Sequence, residues 1–157
     1  MSVSPHLSQI LVENAITAGY RMTYLGNHFI GPVYRWTEKE LDIRRPQFAV
    51  LFCLAQLEDV SARDVCELSG IPANSISRAI SSLIARKLVT RTDHHSDKRR
   101  DVLRLSASGR KLFELIIPRF RQREDAMLAV LTERERQQLL TLLGKLVTRV
   151  DGWAVVD

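Results

Sequence analysis

Apolar residues recur at helical spacing along nearly the whole chain, and the period changes in one place only, between residues 88 and 105. There Leu88-Val89-Thr90-Arg91-Thr92 and Val102-Leu103-Arg104-Leu105 are short, β-branched and alternating, and they bracket a polar loop, which is the pattern of a β-hairpin. One hairpin cannot form a layered sheet, so the core has to be built among helices. The expected class is mainly α with a small β wing.

The helical part divides at recognisable signals. The stripe Leu7, Ile10, Leu11, Ala15, Ala18, Met22, Leu25 and Phe29 predicts a helix from about 7 to 29, with Gly31-Pro32 breaking or kinking it. Pro46 suits the first turn of the next helix, whose Phe48, Val50, Leu51, Leu54 and Leu57 form a core face that also takes in Cys53. Ser61 with Asp64 three residues on reads as a capping box, so a short helix should run from Ala62 to about Leu68 and stop at Gly70. Pro72 can then open another helix, with Ile76, Ala79, Ile80, Leu83 and Ile84 on its apolar side. Its opposite face, Asn74, Ser75, Ser77, Arg78, Ser81 and Ser82, is small and polar. Helix, short Gly-containing turn, helix is a helix-turn-helix, whose second member enters the major groove. Short Ser and Asn side chains permit close approach to base edges, and Arg78 can reach guanine or phosphate. The plain alternative is a solvated helix face.

Charge weighs against that alternative. Residues 78–104 hold eight of the 23 basic and three of the 18 acidic residues, so the entire net charge of +5 lies there. A surplus this focused creates a field that a polyanion feels. A hairpin directly after a recognition helix is a wing, and its tip carries Asp97, Lys98, Arg99 and Arg100 beside His94 and His95. An arginine there can enter the narrow minor groove.

The residues resemble the MarR (multiple antibiotic resistance regulator) family of winged helix-turn-helix transcription factors, along essentially the whole chain. Arg45-Pro46-Gln47-Phe48-Ala49-Val50-Leu51 looks like the opening of the family's second helix. Ile76-Ser77-Arg78-Ala79-Ile80 through Leu88-Val89-Thr90-Arg91 looks like its recognition helix and first wing strand. Asp97-Lys98-Arg99 looks like its Asp-x-Arg wing motif, and Leu105-Ser106-Ala107-Ser108-Gly109-Arg110-Lys111-Leu112 like the second wing strand running into the next helix. The resemblance implies that Arg99 enters the minor groove, braced by Asp97, with Lys98 and Arg100 on phosphates. Ser75, Ser77 and Arg78 would affect operator choice. It also implies a dimer with two-fold symmetry, with residues 1–45 and 106–157 as N- and C-terminal dimerisation helices around a DNA-binding part at 46–105. Repression is the family's commoner mode.

The remaining features are consistent with this frame. Ser106 is a plausible N-cap, Pro118 a kink and Thr132-x-x-Glu135 a second capping box, followed by the stripe Leu139, Leu142, Leu143, Leu146 and Val150. Tyr20, Tyr24 and His28 fall at i, i+4, i+8 and, with Trp36, offer a pocket for a small aromatic or phenolic effector. Core or dimer packing is the other reading of these rings. Cys53 and Cys66 could make a redox-sensing regulator, but their apolar helical settings favour inert packing. The four histidines show no metal-ligand spacing, so no metal site is expected. No phosphate loop, nucleophile elbow or apolar carboxylate pair suggests an enzyme. A winged-helix module for protein or RNA stays open, because a fold does not fix a function. With 157 residues, no basic leader and no long apolar run, the expectation is a soluble cytoplasmic domain with reduced cysteines.

Overall fold

A computed structural model describes residues 4–93 and 101–153. The chain divides into two compact units, Met1–Phe120 and Arg121–Asp157. The first holds α1 (Pro5–Val12), α2 (Thr17–Leu41), α3 (Arg45–Gln56), α4 (Ala62–Ser69), α5 (Ala73–Ala85), β1 (Val89–Asp93), β2 (Asp101–Leu105) and most of α6 (Ala107–Leu128). Mainly helical with one small antiparallel sheet, it has the expected winged-helix class.

Two helix boundaries depart from the sequence pattern. The N-terminal stripe belongs to two helices, because Asn14 makes a turn between them: its Nδ2 donates to the Ile10 carbonyl at 2.6 Å and its Oδ1 accepts from Ile16 N at 2.9 Å. Local side-chain bonds of this kind compete with helix continuation. Gly31-Pro32, expected to break or kink the helix, lies inside α2, which runs on to Leu41. The reason is tertiary: Val33 and Thr37 beyond the proline are buried, and the Thr37 hydroxyl donates to the Ile43 carbonyl at 2.8 Å. Packing of this sort outweighs the single backbone bond that proline forgoes. Pro118 likewise sits within an uninterrupted α6.

The core gathers around α3 and α5. Ile43, Leu51, Ile76, Ile80, Leu83 and Ile116 are fully buried, each contributing roughly 1.5–3 kcal/mol of burial. Phe48 is the hub of an aromatic cluster, stacked on Phe120 with centroids 4.5 Å apart and meeting Tyr34 edge-on at 6.0 Å. α4 begins with the expected box, in which Asp64 Oδ2 accepts from Ser61 N at 2.8 Å while Ser61 Oγ accepts from Asp64 N at 3.3 Å. It ends at Gly70 with φ 63, a left-handed position that glycine adopts without strain.

The hairpin pairs Val89 with Leu105 and Arg91 with Leu103. A single-residue bridge, without a signal in the sequence pattern, joins it: Val60 pairs with Leu103, whose N–H donates to the Val60 carbonyl at 2.9 Å. Behind the hairpin, Ser106 caps α6 by accepting from Gly109 N at 3.0 Å, and its own N–H donates to the Leu88 carbonyl at 3.0 Å. The fit is tight enough that a Cβ on Gly109 would lie 2.0 Å from that carbonyl oxygen.

In the second unit, α7 (Glu133–Val147) starts at a capping box in which Glu135 Oε2 accepts from Thr132 N at 2.8 Å. No α7 residue is buried, and Leu140, Leu142, Leu143, Leu146 and Val147 are exposed. A 3-10 turn, Val150–Trp153, follows. Among the described residues no helix is long and apolar enough to cross a membrane.

Candidate nucleic-acid interface

α5 owes its orientation to its apolar row, since Ile76, Ala79, Ile80 and Leu83 are all buried. The polar residues then form two parallel rows at i, i+3, i+7 spacing. Asn74, Ser77 and Ser81 form the outer, exposed row, while Ser75, Arg78 and Ser82 flank the core, with Arg78 exposed and the two serines half-buried. The Ser81 hydroxyl donates to the Ser77 carbonyl at 3.0 Å, which keeps that side chain short and close to the helix.

The helix stops in a Schellman turn. Lys87 has φ 58, Leu88 N donates to Leu83 O at 2.9 Å, and Lys87 N donates to Ile84 O at 2.9 Å. Buried Leu83 and Leu88 supply the apolar contact that accompanies this motif. The chain therefore leaves α5 in a fixed direction and enters β1 two residues later. Val89, Val102 and Leu103 are buried beneath the hairpin, whereas Thr90, Arg91, Thr92 and Arg104 are exposed.

The basic surplus does not all face outward. Arg104 Nη2 lies 2.5 Å from Asp59 Oδ1, tying the wing to the loop before α4. Arg86 Nη1 donates to the Asp42 carbonyl at 2.6 Å and its Nη2 to the Leu41 carbonyl at 2.9 Å. These are the orphan acceptors at the C-terminus of α2, where a cation is favoured. A second tie joins α3 to α5: Gln47, buried, donates to Ser82 Oγ at 3.0 Å and accepts from Arg44 N at 2.8 Å. Asp97, Lys98, Arg99 and Arg100, the expected wing contacts, lie outside the described residues, as do His94 and His95.

Of the residues expected to line an effector pocket, Tyr20, Tyr24 and His28 do form a ladder, with centroids 6.1 Å and 4.1 Å apart. Trp36 is not part of it. Its ring is covered by the Arg119 guanidinium, 3.9 Å from the centroid. Burial holds the Tyr34 hydroxyl above its usual pKa, with Arg45 pulling the other way. Cys53 is buried and its thiol is pushed up by desolvation, the opposite of a reactive thiolate, and Cys66 is half-buried. The described residues hold no group of three His, Cys, Asp or Glu side chains that could bind a metal ion.

A helix pair turning at a left-handed glycine, then a two-stranded hairpin bridged at Val60, is the winged-helix arrangement, and residues 41–100 match the sequence profile of the MarR family. Over those residues the chain is similar to the MarR family. A curated relative, the HTH-type transcriptional regulator BilQ of Clostridium symbiosum, is 37% identical over 70 residues, which is 45% of this chain and 49% of BilQ. The match thus spans about half of that relative's length. Two solved structures are also similar in fold. Bordetella bronchiseptica BpsR, whose DNA binding is regulated by 6-hydroxynicotinic acid, has a TM-score of 0.70 at 25% identity, over 83% of this chain and 98% of its own. Staphylococcus aureus MepR in a DNA complex gives 0.75 at 23%, over 88% and 99%.

The sequence pattern pointed to α5 and the wing but not to Arg44, Gln47, Val60 or Arg86 as parts of the site. Gln47, Val60 and Arg86 each meet a partner tens of residues away, as with Gln47 and Ser82 at a separation of 35. The one visible trace of this corner is the run Arg44-Arg45-Pro46.

Proposed function

We propose that this chain is a sequence-specific double-stranded DNA-binding regulator of transcription, a ligand-responsive repressor that acts as a homodimer on a pseudo-palindromic operator. The observation that carries the reading is the outer row of α5, Asn74, Ser77 and Ser81. It is exposed on a helix whose register is fixed by burial and followed at once by the hairpin. Such a row approaches base edges in the major groove. Arg99, braced by Asp97, enters the adjacent minor groove, and Lys98 and Arg100 meet phosphates. MepR in its DNA complex and BpsR with its regulated DNA binding share the fold and support this assignment.

The dimer reading draws on apolar side chains left uncovered within each unit: Ile10, Val12, Ile16, Met22 and Leu25 in the first, and the α7 leucines in the second. A second copy covers them, residues 1–45 and 106–157 act as the dimerisation parts around the DNA-binding part at 46–105, and the two recognition helices come to lie roughly 34 Å apart. The effector reading places a small aromatic or phenolic acid on the Tyr20–Tyr24–His28 ladder.

The test is selection of bound sequences from a random duplex pool, with wild type beside Arg99→Ala. An enriched imperfect palindrome is expected, with affinity reduced across all sequences for the variant. Recovery of no palindrome sinks the reading. A monomer in sedimentation at micromolar concentration removes the dimer, and a panel of aromatic acids that neither shifts melting nor releases DNA removes the effector.

A further inference from the structure

Beside α5 lies a cleft of about 370 Å³, between that helix and the corner joining α2 to α3. Its walls include Ser75, Arg78 and Ser82 from the inner polar row of α5, and Asp42, Arg44 and Gln47 from the corner. The corner cannot drift from the helix, because Arg86 holds its first residues and Gln47 its last. The cleft therefore presents two guanidinium groups and two hydroxyls on a rigid frame. The Arg44 guanidinium pairs with Glu38, Nε to Oε1 3.1 Å, with side chains 70% and 55% exposed. Exposed pairs of this kind exchange readily with another anion. One carboxylate also faces the cleft: Asp42, whose Oδ2 lies 3.9 Å from Arg86 Nη1.

The geometry points to a seat for one backbone phosphate of bound duplex DNA, with Arg44 and Arg78 as the charged contacts. The α2–α3 corner then becomes a DNA-contacting element in addition to the recognition helix and the wing. This rests on the DNA-binding reading above, and it divides the work of α5. The outer row, Asn74, Ser77 and Ser81, reads bases, while the inner row holds the backbone, so Ser75 and Arg78 serve affinity in place of the operator choice that the sequence resemblance implied for them. The wall chemistry suits a diester oxygen, being rich in donors, whereas a small organic ligand needs a mostly apolar enclosure. Position agrees, since three of the walls are side chains of the groove-entering helix itself.

The experiment uses the full chain, an operator duplex recovered from the random pool and an unrelated duplex, each titrated by fluorescence anisotropy over a salt series. Arg44→Ala should weaken both duplexes alike, by about fivefold at 0.15 M salt for each bound chain, and make the slope of log K against log salt shallower by about 1 for each bound chain. Arg44→Lys should keep the wild-type slope. Asp42→Asn, which removes the charge yet tolerates the left-handed φ of 50 at that position, should tighten both duplexes. Arg78→Ala should recover the same consensus from the pool at lower affinity. The inference is overturned if Arg44→Ala matches wild type in affinity and slope, or if Arg78→Ala shifts the consensus. It is also overturned if submillimolar inorganic phosphate or benzoate stabilises wild type but not Arg44→Ala while the slope stays unchanged, since the cleft then serves a free anion. If wild type binds no duplex, the DNA reading falls and this inference with it. If wild type binds and only Arg44→Ala fails to differ, the phosphate seat alone falls.

Discussion

Gly109→Ala adds one methyl group and should cost far more than a methyl group normally does. The new Cβ would sit 2.0 Å from the Leu88 carbonyl oxygen, 3.0 Å from its carbon and 3.3 Å from Leu105 Cδ2. The oxygen is backbone, fixed by the Schellman turn that ends α5, so relief requires α6 to withdraw by about 1 Å. That movement breaks the Ser106 N–H bond to Leu88 O at 3.0 Å and weakens the Ser106 hydroxyl bond to Lys87 O at 2.7 Å. Two hydrogen bonds at ~1 kcal/mol each and overpacking strain of ~1–3 kcal/mol give about 3–5 kcal/mol. Against a total stability of roughly 5–15 kcal/mol this is a large fraction. At 2–4 °C per kcal/mol the melting midpoint should fall by roughly 10 °C. Gly144→Ala is the matched control, because nothing lies within 4 Å of its Cβ in the last turn of α7 and helix propensity alone should apply. Thermal melting by circular dichroism decides the matter. If Gly109→Ala melts within 2 °C of wild type, the close approach of α6 to the end of α5 is wrong.

Three further perturbations test other joints. Arg86→Ala leaves the Leu41 and Asp42 carbonyls to water. It should lower stability by about 1–2 kcal/mol, read from denaturant titration, and weaken duplex binding without altering the consensus. Cys53 and Tyr34 both titrate above their ordinary values because of burial, so the folded state favours their neutral forms. Their contribution is complete below the unfolded values and is lost as pH rises through the folded ones. Stability should therefore fall from about pH 9 upward, and Tyr34→Phe should remove the later part of that loss. Backbone and hydroxyl hydrogen bonds from Thr132 hold the Glu135 carboxylate below its usual range, so the α7 cap is present at neutral pH and lost as pH falls through that depressed value. Protection of the amides at the start of α7, taken relative to their intrinsic exchange rates, should fall in acid, and in Thr132→Ala it should already be low at neutral pH.

Much of this architecture was legible because its signals are local. Ser61-x-x-Asp64, Gly70, Thr132-x-x-Glu135 and the alternating runs around 88 and 105 each act through neighbours within a few residues, and each appears where the pattern puts it. Misreadings arise where distant contacts decide. Pro32 reads as a stop, yet burial of Val33 and Thr37 carries α2 past it. Val60 carries no strand pattern of its own and is bridged to the hairpin only by meeting Leu103. For the site, periodicity identified the polar face of α5 but could not divide it into two rows with different neighbours, because the second row is defined by the corner at residues 42–47. Net charge was the coarsest guide. It located the region, yet Arg86 and Arg104 turn out to hold protein atoms together.

The contact between Arg119 and Trp36 gives the molecule an optical reporter. Of the two tryptophans, Trp36 is half-buried on α2 beneath a cation from α6, whereas Trp153 is 53% exposed near the C-terminus. Trp153 is the more exposed of the two, so a neutral quencher such as acrylamide should quench it more strongly than Trp36 and help to separate their emission. What remains is a fluorescence signal that follows the spacing of α2 and α6 in the unlabelled protein, in solution and at submicromolar concentration.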